Sequence, residues 1–472
     1  MTTQEMEAIR SKFEKAGQGH VFRFISEVGA DGAAKLFDQL DSFDPGEVAA
    51  LYEELVRGSS EKTKDYSDLE PAPFIAHPDR GGDAELWKSA QARGLAAIRA
   101  GKLAAFTVAG GQGTRLGYDG PKGTFPVGPV TGATLFEVFG GKIAAMSRAH
   151  GVTIPWLVMT SPINHEATKA FFEKHDWFGL GEENVMLFPQ GTMPAIDHDG
   201  RLLLSAKDSL SLSPDGHGGS LRALVRSGAI QMLEERGVTT ISYFQVDNPL
   251  VKVIDPSFIG FHLEAGSEMS SKMIPKAFAT EKVGNFCARG GKIEVVEYSD
   301  LPVELAEATG EDGTLRFVAG SIAIHLLETE FVKKMGSTRF PMHRADKKIA
   351  HLDESGTLVE PTEPNGIKFE MFVFDALPMA ANPIVVETLR SIDFSPVKNA
   401  TGVDSPETCR ADQLREWTTW ALAAGIEMAV DDSGLPLATF EVQPSYAYDL
   451  ESFVNRARAE ALKGISEGMV LR

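Results

Sequence analysis

The chain has 472 residues, 43% hydrophobic and 24% charged, the balance of an ordinary globular protein of roughly three domains. Its 46 basic and 66 acidic side chains leave a net charge of −20, a field that repels nucleic-acid backbones but leaves room for a local basic pocket taking a small phosphorylated ligand. Two cysteines, Cys287 and Cys409, make neither a disulfide scaffold nor a Cys-based zinc site; no signal peptide opens residues 1–18, and the longest apolar stretch, 420–430, contains Glu427 and is too short to span a bilayer, so a cytoplasmic protein without membrane partners is expected.

Residues 1–98 read as a helical amino-terminal cap. Val21, Phe22, Phe24 and Ile25 recur at helical spacing, followed by Leu36, Phe37 and Leu40, then Val48, Leu51, Leu55 and Val56, with turn signals at 29–32 and 44–46. Residues 62–78 are polar and proline-containing and are expected to wrap over the surface. From Lys102 the texture changes. Residues 103–108 form an apolar run with no helical face, the mark of a strand buried on both sides. A helix is expected over 135–146 and a strand over 154–160. Ser161 and Pro162 then suit an N-cap and first-turn proline for a helix running to about 175. A strand over 185–188, a helix over 222–236 closed by Gly237, and a strand over 240–246 complete the alternation. This is an α/β pattern: a doubly wound, mostly parallel sheet in a catalytic domain over 99–393. Beyond Asn248, shorter β segments are expected at 272–277, 293–298 and 315–318, with an exposed stretch over 339–365. Residues 394–472 read as a small carboxy-terminal lobe with helices over 416–428 and 450–462.

The densest chemical signal is Ala109-Gly-Gly-Gln-Gly-Thr-Arg-Leu-Gly117, followed by Pro121-Lys122-Gly123. It lies directly after a buried strand, where a parallel sheet opens onto its ligand crevice. Glycines there let backbone N–H groups reach phosphate oxygens, and Arg115 and Lys122 add positive charge. The dinucleotide fingerprint fails because the sixth residue counted from Gly111 is Leu116, and no Walker A lysine occurs, so hydride transfer and P-loop ATP hydrolysis are both disfavoured. Two other matches carry nothing. Gly464-Ile-Ser-Glu-Gly468 has no histidine after it, and His165-Glu166 is followed by Lys169 where a zinc protease needs a second histidine.

The glycine loop with Pro121-Lys122-Gly123 resembles the signature of eukaryotic-type UDP-sugar pyrophosphorylases, and within them most closely the UDP-N-acetylhexosamine pyrophosphorylases. The resemblance runs from Gly17 onward and includes Met159-Thr-Ser161, Pro214-Asp-Gly-His-Gly-Gly219, Val246-Asp-Asn248, Val296-Glu-Tyr-Ser299, Pro364-Asn-Gly-Ile-Lys-Phe-Glu370 and Phe394-Ser-Pro-Val-Lys-Asn399. It implies a Rossmann-like, GT-A-like nucleotidyltransferase fold with a mixed sheet, and uridylyl transfer from UTP to a sugar 1-phosphate with Mg²⁺. It further implies that Arg115, Lys122 and Lys398 hold the phosphates and Asp247 the metal. Ala109, Gly110, Gly111, Gln190 and Gly216 would hold the nucleotide. His217, Gly284, Glu297, Tyr298, Ser321, Phe372 and Phe374 would surround the sugar. A monomer or weak homodimer is expected.

Two positions depart from the N-acetylhexosamine pattern. His217 stands where those enzymes carry asparagine, matching instead the Gly-His-Gly turn of UDP-glucose pyrophosphorylases, and Ser321 replaces a second asparagine. Both lie where the sugar would be read. The resemblance therefore favours N-acetylglucosamine 1-phosphate, with glucose 1-phosphate or a broad sugar range as the alternative and a catalytically silent nucleotide-sugar binder as the rival class.

Overall fold

Thr2 and Glu5 close a reciprocal capping box that starts α1 (Thr3–Lys15). Helix α2 (Gly29–Asp41) follows, and Asp44 with Pro45 in the first turn starts α3 (Pro45–Tyr52). Their apolar faces bury Ile9, Phe13, Leu36, Phe37, Leu40, Val48 and Leu51, of which the helical periodicity predicts Leu36, Phe37, Leu40, Val48 and Leu51. The computed structural model describes residues 1–58 and 65–472; the start of the expected surface segment, 62–64, lies outside the described residues. These helices belong to one unit, made of residues 1–67, 190–220 and 339–373. That unit adds short strands: His343–Lys347 and Ile196–Asp197 flank Gly366–Glu370, and Thr192–Pro194 pairs with Leu212–Pro214. The stretch 339–365 is thus mostly exposed or half-buried but partly a sheet.

The second unit comprises residues 68–189, 221–338 and 374–472. Its strands in chain order are β1 (Glu70–Pro71), β2 (Leu103–Val108), β3 (Trp156–Thr160), β4 (Val185–Pro189), β5 (Thr240–Gln245), β6 (Met269–Pro275), β7 (Gly284–Arg289), β8 (Lys292–Val296), β9 (Ala319–Glu328) and β10 (Ile384–Glu387). They form one sheet in the order β1-β7-β9-β5-β2-β3-β4, with β6 pairing β9 and β10, and β8 pairing β7. The block β5-β2-β3-β4 is parallel, and Leu103–Phe106 and Trp156–Thr160 are buried throughout, which explains their uninterrupted apolarity. The sheet as a whole is mixed rather than mostly parallel, because β9 runs antiparallel to β5, β6 and β7.

Helix α4 (Ala84–Arg99) lies in this unit, so the amino-terminal hundred residues are not one helical layer. Helix α5 (Leu135–His150) opens on a Thr134–Glu137 capping box and closes on left-handed Gly151. Helix α6 (His165–Lys174) starts later than expected: Asn164, not Ser161, precedes it. The expected single helix over 222–236 is two, α7 (Gly219–Arg226) and α8 (Ala229–Glu235), broken at Gly228 with φ +81°. Residues 315–318 make only an isolated bridge, and the strand begins at Ala319. Helix α9 (Pro256–Ala265) meets α4 closely: a Cβ on Gly94 would sit 1.8 Å from the Pro256 carbonyl oxygen, and one on Gly260 equally near that of Ala90. Towards the carboxy terminus, α10 (Pro406–Ala423) begins at its Ser405 cap, ten residues before the expected start, and α11 (Leu450–Ala459) follows. Trp417, Trp420, Phe440, Phe453 and Leu471 give this region its own core cluster. Cys287 and Cys409 are both free and buried. Among the described residues no helix is long and apolar enough to cross a membrane.

Candidate active site

The glycine loop leaves the carboxyl end of β2, and the carbonyls of Ala109 and Gly111 are taken up by the protein. Asn164 donates through Nδ2 to the oxygens of Ala109 (2.9 Å) and Gly111 (3.2 Å), and accepts from the Ser161 amide through Oδ1. The Lys122 amide donates to the Gly111 oxygen at 3.0 Å. By contrast, the amides of Gly110, Gly111 and Gln112 donate to no acceptor among the described residues. Across a trans peptide the N–H points opposite to the C=O before it, so tying the Ala109 and Gly111 oxygens to Asn164 turns the Gly110 and Gln112 N–H groups away from it. A Cβ on Gly111 would meet nothing closer than Lys122 Cδ at 3.9 Å, so the protein itself leaves that space open. Gly123 differs: its Cβ would lie 2.1 Å from the Phe136 ring, which seats the loop's end on the aromatic core of Phe136, Trp156 and Phe172.

Lys122, Asp247 and Lys398 come together. Lys122 Nζ lies 3.2 Å from Asp247 Oδ2, with both side chains mostly buried. The Val397 amide donates to the Asp247 carbonyl at 2.8 Å, which brings Lys398 beside it. Burial by itself would raise the Asp247 carboxyl, but the charges of Lys122 and Lys398 outweigh it and hold the group below its ordinary range. Asp247 is therefore ionised at neutral pH. Lys398 also faces Asp404 at 3.7 Å and is half exposed. Arg115 is exposed and, among the described residues, makes no ion pair.

Strand β9 passes β5 in antiparallel sense, so its amino-terminal part lies beyond the carboxyl end of β5, on the edge that carries Asp247. There Ser321 pairs with Gly284, and a Cβ on Gly284 would lie 3.4 Å from Glu297 Oε1 and 3.8 Å from Ser321 Cβ. These three share one face. Tyr298 is 45% exposed, whereas Phe374 is buried. Between Ser321 and the regular pairing of β9 sits Ala323 at φ +54°, a left-handed backbone in a strand residue that has a Cβ.

The remaining expected residues lie in the other unit. The Met371 amide donates to the Asp215 oxygen, and the Gly218 amide to the Met371 oxygen, so the turn carrying Gly216 and His217 runs along residues 371–373. Gly216 has φ +84°, and a Cβ there would lie 2.4 Å from the Met371 oxygen. His217 Nδ1 accepts from the Val373 amide at 3.1 Å, which leaves the ring proton on Nε2. Phe372 is stacked between His217 (5.3 Å) and His343 (4.3 Å). Burial, with the nearby His343, pushes His217 down to about 4, so it is neutral at pH 7. Gln190 is buried at the start of its segment.

The sequence reading missed Asn164, whose only signal was an asparagine in the turn after a strand. Asn248 appears in the Val246-Asp-Asn248 motif but was given no role, although its side chain bonds Asp393 and Ser395 far along the chain.

Among the described residues no three His, Cys, Asp or Glu side chains gather to hold a metal. A lone ionised carboxylate at the sheet edge fits Mg²⁺, which takes one or two carboxylates and completes its shell with phosphate oxygens and water.

Residues 56–403 match the UDPGP family, described as UTP–glucose-1-phosphate uridylyltransferase. The chain is 37% identical over 455 residues to UDP-N-acetylhexosamine pyrophosphorylase-like protein 1 of Xenopus tropicalis, covering 92% of this chain and 88% of that one. It is 35% identical over 431 residues to UDP-N-acetylglucosamine pyrophosphorylase of Saccharomyces cerevisiae, covering 88% and 90%. The crystal structure of the uridine diphosphate N-acetylglucosamine pyrophosphorylase from Trypanosoma brucei superposes with a TM-score of 0.84 at 26% identity, covering 100% of this chain and 99% of that one.

Proposed function

The chain belongs to the UTP–glucose-1-phosphate uridylyltransferase (UDPGP) family, and from that premise we propose that it transfers uridylyl from UTP to a sugar 1-phosphate, N-acetylglucosamine 1-phosphate being the favoured acceptor. The observation that carries the reading is the meeting of a glycine loop whose Gly110, Gly111 and Gln112 amides have no acceptor among the described residues with Lys122, Asp247 and Lys398 at one sheet edge. In the reaction a phosphate oxygen of the sugar 1-phosphate attacks the α-phosphorus of UTP, the new P–O bond forms, and the bond to pyrophosphate breaks in line. Such a displacement needs alignment and charge neutralisation rather than a covalent nucleophile.

Gly110, Gly111 and Gln112 offer amide donors to the phosphate tail, and Lys122 and Arg115 take charge developing on the pyrophosphate. Lys398 supplies a further cation. Asp247 would hold Mg²⁺, which supplies electrostatic stabilisation of the transferring phosphate. In the other unit, Gln190 and Gly216 are assigned to uracil, since an amide side chain offers both a donor and an acceptor. His217, a neutral Nε2–H donor, is assigned to the sugar, with Ser321, Gly284, Glu297 and Tyr298 as the sugar-facing group of the sheet unit; Phe372 and Phe374 are assigned to the sugar as well. The fold is read as Rossmann-like, with helices on both faces.

The test is pyrophosphate release from UTP and Mg²⁺ with a panel of sugar 1-phosphates. Release with N-acetylglucosamine 1-phosphate is expected, and none with any sugar overturns the proposal. The "-like" in the Xenopus relative's name motivates a second reading, a binder of UDP-sugar that does not turn over. Calorimetric binding of UDP-N-acetylglucosamine by a protein that releases no pyrophosphate would establish it.

A further inference from the structure

The family reading assigns the lysine and the carboxylate but not what holds them opposite each other. Lys398 lies 151 residues after Asp247 in the chain, on a loop with exposed neighbours Asn399 and Ala400. Its side chain has four rotatable bonds, so the path of its backbone decides where the ammonium can reach.

That path is fixed by the residue next to Asp247. Asn248 is 5% exposed. Its Nδ2 donates to the Asp393 carbonyl at 2.6 Å, and its Oδ1 accepts from the Ser395 amide at 3.0 Å. Two residues on, the Val397 amide donates to the Asp247 carbonyl. Three hydrogen bonds therefore stitch residues 247–248 to residues 393–397, directly before Lys398.

The far side of the stitch is anchored as well. The Asp393 carboxylate is fully buried and accepts from the Lys252 amide (2.9 Å), the Thr388 hydroxyl (2.7 Å) and the Lys272 ammonium. Lys272, 2% exposed, is shared with Asp255 at 2.7 Å. A buried ion pair of this kind gains little net stability over an apolar replacement, and its best-attested use is to specify one arrangement. Here that arrangement is the register of the Lys398 segment against the end of β5.

We propose that Asn248, backed by the buried Lys272–Asp393 pair, is a positioning residue for uridylyl transfer that acts through Lys398. The inference rests on the transferase reading for its kinetic consequence but not for its geometry, and the test separates the two. Pyrophosphate release is measured for the wild type, Asn248→Ala, Lys398→Ala and the double variant. Asn248→Ala is expected to lower kcat by about 10- to 100-fold, as misplacing a reacting group by an ångström does. In the Lys398→Ala background the same change is expected to cost less than about 3-fold, because its route is already gone. Asn248→Asp keeps the acceptor for Ser395 and is expected to recover part of the loss. Equal losses in both backgrounds would overturn the proposal.

Hydrogen exchange supplies the arm that needs no turnover. In Asn248→Ala the peptide spanning 394–398 is expected to lose protection while the strands β2 and β3 keep theirs. Retained protection there would overturn the positioning role. A wild type that turns over no sugar phosphate would instead remove the transferase reading and leave the exchange result to decide the geometry.

Discussion

Lys122 and Asp247 depend on each other, so changing one reveals the other. Lys122→Met removes the strongest favourable charge near a mostly buried carboxylate. Losing one preorganised group at a developing charge costs about 10²- to 10³-fold in kcat, and that loss is expected in pyrophosphate release with saturating UTP. The Asp247 carboxyl should also rise, moving the acid limb of the pH–rate profile upward, whereas a limb that stays in place would deny the coupling. His217 works in the opposite sense. Its folded value near 4 is below the ordinary value of about 6.5, so the unfolded chain binds more protons between those pH values and stability rises with pH across them. Melting temperature should therefore fall from pH 7 to pH 5, and it should fall less in His217→Asn, which has nothing to protonate. At residue scale the sequence made the glycine loop legible because its residues are covalent neighbours. The tautomer of His217 was not legible, because it is set by an amide 156 residues away.

Elements were legible where burial is uniform and the stop signals are local. The apolar run 103–108 became β2 residue for residue. Misplaced boundaries share a cause: a signal was present but another outranked it. Ser161-Pro162 has cap chemistry, yet Asn164 is committed to the carbonyls of the glycine loop and the helix waits until His165. Gly228 lay inside a helical pattern whose apolar spacing continued across the break. Strand β9 escaped because its polar residues face partners that only the fold supplies, such as Ser271 on His325. The α4–α9 contact gives the element-scale prediction. With under 2 Å between a new Cβ and a backbone carbonyl, neither helix can accept alanine without moving apart. Gly94→Ala and Gly260→Ala should each destabilise by about 1–3 kcal/mol or more, read as a lower urea midpoint. Gly111→Ala faces no such wall and should unfold at the wild-type midpoint while losing affinity for UTP, as a loop kept open for a ligand requires.

Across the whole molecule, the chemistry expected of the phosphates and the chemistry expected of the sugar fall on separable sets of residues. Lys122, Asp247 and Lys398 sit at one edge of the large sheet, whereas His217 and Phe372 belong to the unit built from residues 1–67, 190–220 and 339–373. A group that neutralises phosphate acts on every acceptor alike, because all sugar 1-phosphates share the reacting oxygen. A group that meets the ring or its N-acetyl substituent changes one acceptor relative to another, since an unmatched hydrogen-bonding group is rejected more strongly than a missing methylene. Turnover of N-acetylglucosamine 1-phosphate and glucose 1-phosphate should thus fall together in Lys122→Met, with their kcat/KM ratio within about 3-fold of wild type. His217→Asn should keep most of the turnover and move that ratio towards the N-acetylated sugar, since it trades a single Nε2–H donor for an amide that can both donate and accept. Ser321→Asn, on the Gly284 face of β9, should move it the same way. A ratio that shifts in Lys122→Met, or holds constant in both asparagine variants, would mean that acceptor choice is made at the phosphates rather than at the sugar.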